Sequence, residues 1–319
     1  MKIRNFRSAA VALLLAAVAA TPALAQRVIH MVVPFGPGAV QDTIARTFNA
    51  ELGQILGATV IVENRPGAGG TVGTAQVAKA NDNNTLVLAA ASHTLAGHLY
   101  SKLAYDPIKD FTGVAYIGNS GYAIAAPGNL GVNNLAEYVK LLKSQPGKMN
   151  YASAGNGSAT HMGMAYFLAR AGVEMQHVPM KSTGDAVNEV LAGRVQGVTS
   201  SLIGVTAFKQ DPRIKILAYT GSTRSKFMPD LPTVAEAGVP GYKFDSWIGV
   251  LAPSTMPKAE VEKLNAAINK ALALPAVQER LNNLGVEAGT MNADAFQQLL
   301  KADYEQAAVL VKASGARIE

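Results

Sequence analysis

Residues 33–42 read Val33-Pro34-Phe35-Gly36-Pro37-Gly38-Ala39-Val40-Gln41-Asp42, an apolar run that breaks at a proline/glycine turn and meets a carboxylate. Beyond it Ile44, Phe48, Leu52 and Ile55 recur at helical spacing, so a helix starts directly at the turn. A strand that stops in glycine and restarts as a helix leaves backbone N–H groups unpaired at the positive end of the helix dipole. The chemistry such a terminus offers is anion binding. The expected contacts in this loop are Phe35, Gly36, Pro37, Gly38, Ala39, Val40 and Gln41, with Asp42 a capping group rather than an anion contact.

A second loop of the same kind reads Tyr151-Ala152-Ser153-Ala154-Gly155-Asn156-Gly157-Ser158-Ala159-Thr160-His161. Gly155 and Gly157 permit close backbone approach, while Asn156, Ser158 and Thr160 offer neutral donors. Ser158 also suits a helix N-cap, and His161, one turn later, reads as either a packed histidine or a ligand contact. The expected site therefore continues through Ser153, Gly155, Asn156, Gly157, Ser158 and His161, and is extended by Ser92, Thr94 and Met180. Two such loops in one exported chain suggest a ligand held between two lobes.

Other chemistries fit poorly. Gly67-Ala68-Gly69-Gly70 follows a strand, but Val72 stands where the third glycine of a dinucleotide fingerprint belongs, and no acidic residue lies near Ala90. His30, His93, His98, His161 and His177 form no His-x-x-x-His pair with a glutamate, and there is no Gly-x-Ser-x-Gly elbow. Ser158 with His161 imitates a nucleophile and base, yet spacing suggests no carboxylate to complete them. No metal, cofactor or catalytic activity is expected.

Strand and helix signals alternate along the chain. Strands are expected at 28–33, 59–63, 86–91, 150–153, 176–180 and 214–220. Helices are expected at 71–79, from Ser158, at 185–192, over Val261, Leu264, Ile268 and Leu272, and from Pro275, with Gly285 as a C-cap. This order predicts α/β lobes with largely parallel sheets, and ligands in such sheets lie beyond the carboxyl ends of strands.

The ends and composition set the compartment. Lys2, Arg4 and Arg7 precede an apolar stretch at 9–20 and a small-x-small site at Ala23-Leu24-Ala25, so residues 1–25 read as a signal peptide cleaved near Ala25. Removing its three cations takes the formal charge from +6 to +3, without the basic cluster that nucleic acid requires. No later stretch reaches the roughly 18 apolar residues of a membrane span, and the absence of cysteine excludes disulfides and thiolate metal sites. A periplasmic, non-membrane chain is expected, long enough for two lobes.

The chain resembles the substrate-binding receptors of the tripartite tricarboxylate transporter family, the Bug-type receptors. The resemblance runs through Val33-Pro34-Phe35-x-x-Gly38 with Asp42-x-x-Ala45-Arg46 and Val62-Glu63-Asn64-Arg65-Pro66-Gly67-Ala68-Gly69-Gly70. It continues in Leu103-x-Tyr105-Asp106-Pro107-x-x-Asp110-Phe111 and the Tyr151 to His161 loop. Leu231-Pro232-Thr233-Val234-x-Glu236-x-Gly238-x-Pro240-Gly241-Tyr242 and Trp247-x-Gly249 complete it. The resemblance implies a two-lobe periplasmic binding protein fold (type II) with crossings near 122–126 and 244–248. Lobe 1 would be 26–123 plus 246–319, and lobe 2 would be 124–245. It implies a monomeric receptor that holds a small organic carboxylate through amides and hydroxyls and delivers it to membrane transporter subunits. A sensor subunit for a two-component system and a hydrolase using Ser158 and His161 are the alternatives. Three positions depart from the family pattern: Ala39 for glycine, Met180 for tyrosine, and Thr199-Ser200-Ser201 in place of a common aspartate. Loss of that aspartate argues against an amino-acid ligand, whose ammonium group would want an acidic partner.

Overall fold

The computed structural model describes residues 26–314, so the expected signal peptide lies outside the described residues. The chain opens β1 (Val28–Val33), α1 (Val40–Leu56), β2 (Thr59–Asn64), α2 (Thr71–Ala78), β3 (Thr85–Ala90), α3 (Ser92–Leu99) and β4 (Phe111–Asn119). It continues β5 (Tyr122–Pro127), α4 (Leu135–Ser144), β6 (Asn150–Ser153), α5 (Ala159–Ala171), β7 (Gln176–Pro179), α6 (Thr183–Leu191), β8 (Gly197–Ser201), α7 (Leu202–Thr206) and β9 (Ile214–Tyr219). It closes β10 (Trp247–Pro253), α8 (Lys258–Leu272), α9 (Pro275–Asn283), β11 (Glu287–Ala288) and α10 (Ala293–Ser314). The helix stripe of Ile44, Phe48 and Leu52 is fully buried, as its spacing requires, and Pro275 begins α9 as expected.

Two sheets form, ordered β11-β4-β10-β3-β1-β2 and β7-β6-β8-β5-β9. Helices α1, α8 and α9 cover one face of the first, burying Phe48, Leu264 and Val277; Phe296 and Leu300 of α10 cover the other. The second sheet is packed between α4 and α5 on one face and α6 and α7 on the other.

The sheets are mixed, where alternation alone predicts largely parallel ones. Strands β1, β2 and β3 pair parallel, as do β6, β7 and β8, but β10 lies antiparallel between β3 and β4, and β5 antiparallel between β8 and β9. The reason is the crossing. β5 and β10 are each the first strand that the chain lays down after passing from the other sheet, so they enter from the opposite direction, while the two-residue β11 at the sheet edge is also antiparallel, to β4.

The first passage needs only Ser120 and Gly121, and the second returns between Tyr219 and Trp247. Thr220 zips them together: it donates its N–H to the Tyr122 carbonyl (2.9 Å), its carbonyl accepts from Phe244 N–H (2.9 Å), and its hydroxyl accepts from Tyr122 N–H (3.2 Å). Ser120 N–H adds a bond to the Ser246 carbonyl (3.0 Å). Helix α10 packs on α3, β4 and α5, so it spans elements of both sheets.

Candidate functional site

The carboxyl ends of β3 and β4, with the start of β10, lie at the crossing, and so do the ends of β8 and β9 with the start of β5. Both sheets therefore turn their carboxyl edges toward the same seam. Loop 35–41 leaves β1 two strands from the crossing strand β10, and loop 153–161 leaves β6 two strands from the crossing strand β5. Each predicted loop thus leaves the carboxyl edge of its own sheet, the edge at which open α/β sheets hold ligands.

In the front loop Asp42 acts as an internal clamp. It is 4% exposed and accepts hydrogen bonds from Gly38 N–H (2.9 Å), Asn64 Nδ2 (2.9 Å) and Arg46 Nε (3.0 Å). Burial alone would raise its pKa, but the bonds from Arg46, Gly38 and Asn64 and the Arg46 charge hold it below the ordinary carboxylate value. Gly38 sits at φ 80°, a conformation that favours glycine, and its N–H is already occupied by Asp42. The N–H groups of Val40, Gln41 and Asp42, the first turn of α1, have no partner among the described residues. Phe35 packs toward Gly70, Pro37 is exposed, and Ala39 N–H bonds the Gly36 carbonyl (3.2 Å). Ser92 is half-buried in the first turn of α3, on the same sheet edge. Thr94 stands apart: its hydroxyl bonds the Ala91 carbonyl and the Asp303 carboxylate.

The second loop is knit by its own side chains. Ser158 caps α5 by accepting His161 N–H (3.2 Å), and its hydroxyl donates to the Gly155 carbonyl (2.7 Å). Thr160 Oγ1 accepts Ala154 N–H (2.9 Å), and Ser153 Oγ accepts Gly155 N–H (3.1 Å). His161 Nδ1 accepts Gly157 N–H (3.1 Å), which places the proton of the neutral ring on Nε2. Burial, with His177 beside it, pushes the His161 pKa down to about 4, so the ring is a neutral donor at pH 7. Its imidazole does not engage the Ser158 hydroxyl, so the two are no nucleophile–base pair. The N–H groups of Asn156, Ala159 and Thr160 have no partner among the described residues, and Met180 N–H is tied to the Ser153 carbonyl (2.9 Å).

Spacing alone did not reveal three supports. His177 bonds Ser153 through Nε2 (2.7 Å) and stacks on His161 with ring centroids 4.1 Å apart, because β7 pairs with β6. Tyr151 also stacks against His177, with centroids 4.9 Å apart, and lies 6.3 Å from His161. Asn64 bonds the Phe35 carbonyl as well as Asp42. A strand ending in Asn64, in register with Val33, was the available signal for the last of these.

Replacing Ser158 by alanine removes both the cap and the tie to Gly155. Urea unfolding should show a loss of about 1 kcal/mol, and an unchanged midpoint would mean that the cap is dispensable.

The sequence profile described as "Tripartite tricarboxylate transporter family receptor" matches residues 44–316. The chain is 31% identical to the protein BugT of Bordetella pertussis, over 92% of this chain and 91% of that one. It resembles the structure of R. palustris Rpa4515 with adipate at 28% identity and a TM-score of 0.82, covering 92% of this chain and 100% of the other. It is also similar to MatC from Rhodopseudomonas palustris with bound malate, at 32% identity and a TM-score of 0.78, covering 89% and 99%. Among the described residues no helix is long and apolar enough to cross a membrane.

Proposed function

The chain belongs to the tripartite tricarboxylate transporter receptor family, and from that premise we propose that it captures a small organic carboxylate between its lobes and delivers it to the membrane subunits of such a transporter. One observation carries the carboxylate: unpaired N–H groups at the starts of α1 and α5, on the carboxyl edges of two different sheets that meet at one seam. With His161 Nε2–H in the first turn of α5 and Ser92 in the first turn of α3 on the same sheet edge as α1, they make a donor set that contains no cation. Charge-assisted hydrogen bonds of about 1.5–3 kcal/mol each suffice to hold an anion without a salt bridge. The adipate and malate held by the two structural relatives are the ligand class this reading borrows.

In this reading the lobes are 26–123 plus 246–319 and 124–245, and the signal peptide sends the chain to the periplasm. Thr199 and Ser200 are fully buried, and β8 itself (Gly197–Ser201) carries no carboxylate to receive an ammonium group. Amino acids are accordingly disfavoured as ligands.

A thermal-shift panel of mono-, di- and tricarboxylates, aromatic acids and acidic amino acids tests the proposal. One carboxylate class should raise the melting temperature, and no rise with any of them would refute it. With the ligand in hand, affinity should change little between about 50 and 500 mM salt, because neutral donors are not screened like an exposed cation. A fall of roughly tenfold would instead place a cation such as the exposed Lys181 on the ligand.

A further inference from the structure

Behind the crossing, α10, the start of α3, the end of β4 and the returning segment with the start of β10 line a cavity of about 240 Å³. None of its lining residues belongs to loops 35–41 or 153–161. Asp303 of α10 reaches it with an unusual balance of partners. Its Oδ2 accepts from Trp247 Nε1 (2.8 Å) and from the Thr94 hydroxyl, while Oδ1 has no hydrogen-bond or ion-pair partner among the described residues. Burial pushes the Asp303 carboxyl above its ordinary pKa, with the nearby Asp245 charge acting in the same direction. Asp245 lines the same cavity, and the one lysine there, Lys243, lies 3.6 Å from it and is half exposed. One cation thus serves two carboxylates, and the more buried of them has only neutral donors. The rest of the wall includes Trp247, Phe244 and Leu299.

We propose that this cavity is a second binding site, for a small organic cation whose primary ammonium head meets Asp303 and whose short apolar body lies on Trp247, Phe244 and Leu299. Asp303 is held by neutral donors and shares its one nearby cation with Asp245, and an ammonium supplies both a further countercharge and a donor for Oδ1. The aromatic rings add a favourable surface for a cation and its alkyl chain. The volume is below the roughly 300–1,000 Å³ of drug-sized pockets, which restricts the ligand to a short alkylamine. Tyr116, the remaining titratable group on the wall, is kept protonated by burial and the nearby acids, with a pKa raised to about 12, and adds no charge.

Trp247 is the only tryptophan of the chain, so its fluorescence reports this cavity alone. Titration of the protein with n-butylammonium chloride should give a saturable change, and butan-1-ol and sodium chloride at equal concentration should not. Asp303→Asn keeps an acceptor for Thr94 and Trp247 but removes the charge, and should abolish the response. Lys243→Gln removes the competing cation from an exposed position and should tighten butylammonium binding by up to about fivefold. That arm reads the site even if Asp303→Asn folds poorly. The proposal is overturned if butan-1-ol or sodium chloride reproduces the change, if Asp303→Asn retains it, or if neither the parent nor Lys243→Gln shows saturation.

Discussion

Gly121→Ala is expected to destabilise the protein by about 1–3 kcal/mol, the cost of forcing bulk into a packed site. A methyl group there would lie 1.8 Å from the Tyr219 hydroxyl oxygen and 2.2 Å from Cζ. The ring cannot swing clear, because Tyr219 is 3% exposed and a side chain at Gly221 would meet its Cε1 at 2.5 Å. Tyr219 therefore fills the space left by two glycines, one on each crossing segment. This is why the first passage between the sheets can be as short as Ser120 and Gly121. Urea unfolding measures the loss. Tyr219→Ala in the Gly121→Ala background should recover part of it, giving a coupling energy in a double-mutant cycle. A Gly121→Ala midpoint equal to that of the parent would show that the crossing is loose enough to absorb a methyl group, and the tight seam described above would be wrong.

Asp42→Asn is expected to cost about 1.5–3 kcal/mol at pH 7, the range for hydrogen bonds to a buried charged acceptor. An amide cannot replace this carboxylate, since all three partners are donors and one would face the new NH₂ group. The pH dependence has a definite sign. The folded pKa of Asp42 lies below its ordinary value of 3.8, so its contribution is fully present above the unfolded pKa and is lost as pH falls through the folded one. The stability gap between parent and variant should accordingly be constant from neutral pH down to about 5 and close below about 4. Urea denaturation at several pH values checks this, and a gap that persists undiminished at acid pH would show that geometry rather than charge carries the clamp. Carboxylate binding should also weaken, because Asp42 holds the turn from which the unpaired α1 amides project.

Local physics made much of this legible in the sequence. The strand-turn-helix at 28–56, the Ser158 cap, the Pro275 start of α9 and the left-handed Gly285 after it are set by neighbours within a few residues, where periodicity and capping chemistry operate. Residue types also singled out both loops on which the proposed anion site rests, and the ordered motifs pointed to the receptor family. Spacing did not show which donors remain for a ligand; the folded loops do. Gly38 N–H is taken by Asp42, Gly155 N–H by Ser153 and Gly157 N–H by His161, so the glycines chiefly shape the loops while neighbouring helix-start amides stay unpaired. Strand pairing decided that His177 supports Ser153, and long-range packing brought Asp303 to Thr94 and Trp247. The reversed strands β5 and β10 likewise follow from the route of the chain between sheets. The loop amides are saturated by partners within four residues, in conformations that spacing does not specify. Strand direction and the partners of His177 and Asp303 instead depend on groups that meet only after distant segments pack, and spacing along one chain carries no record of those meetings.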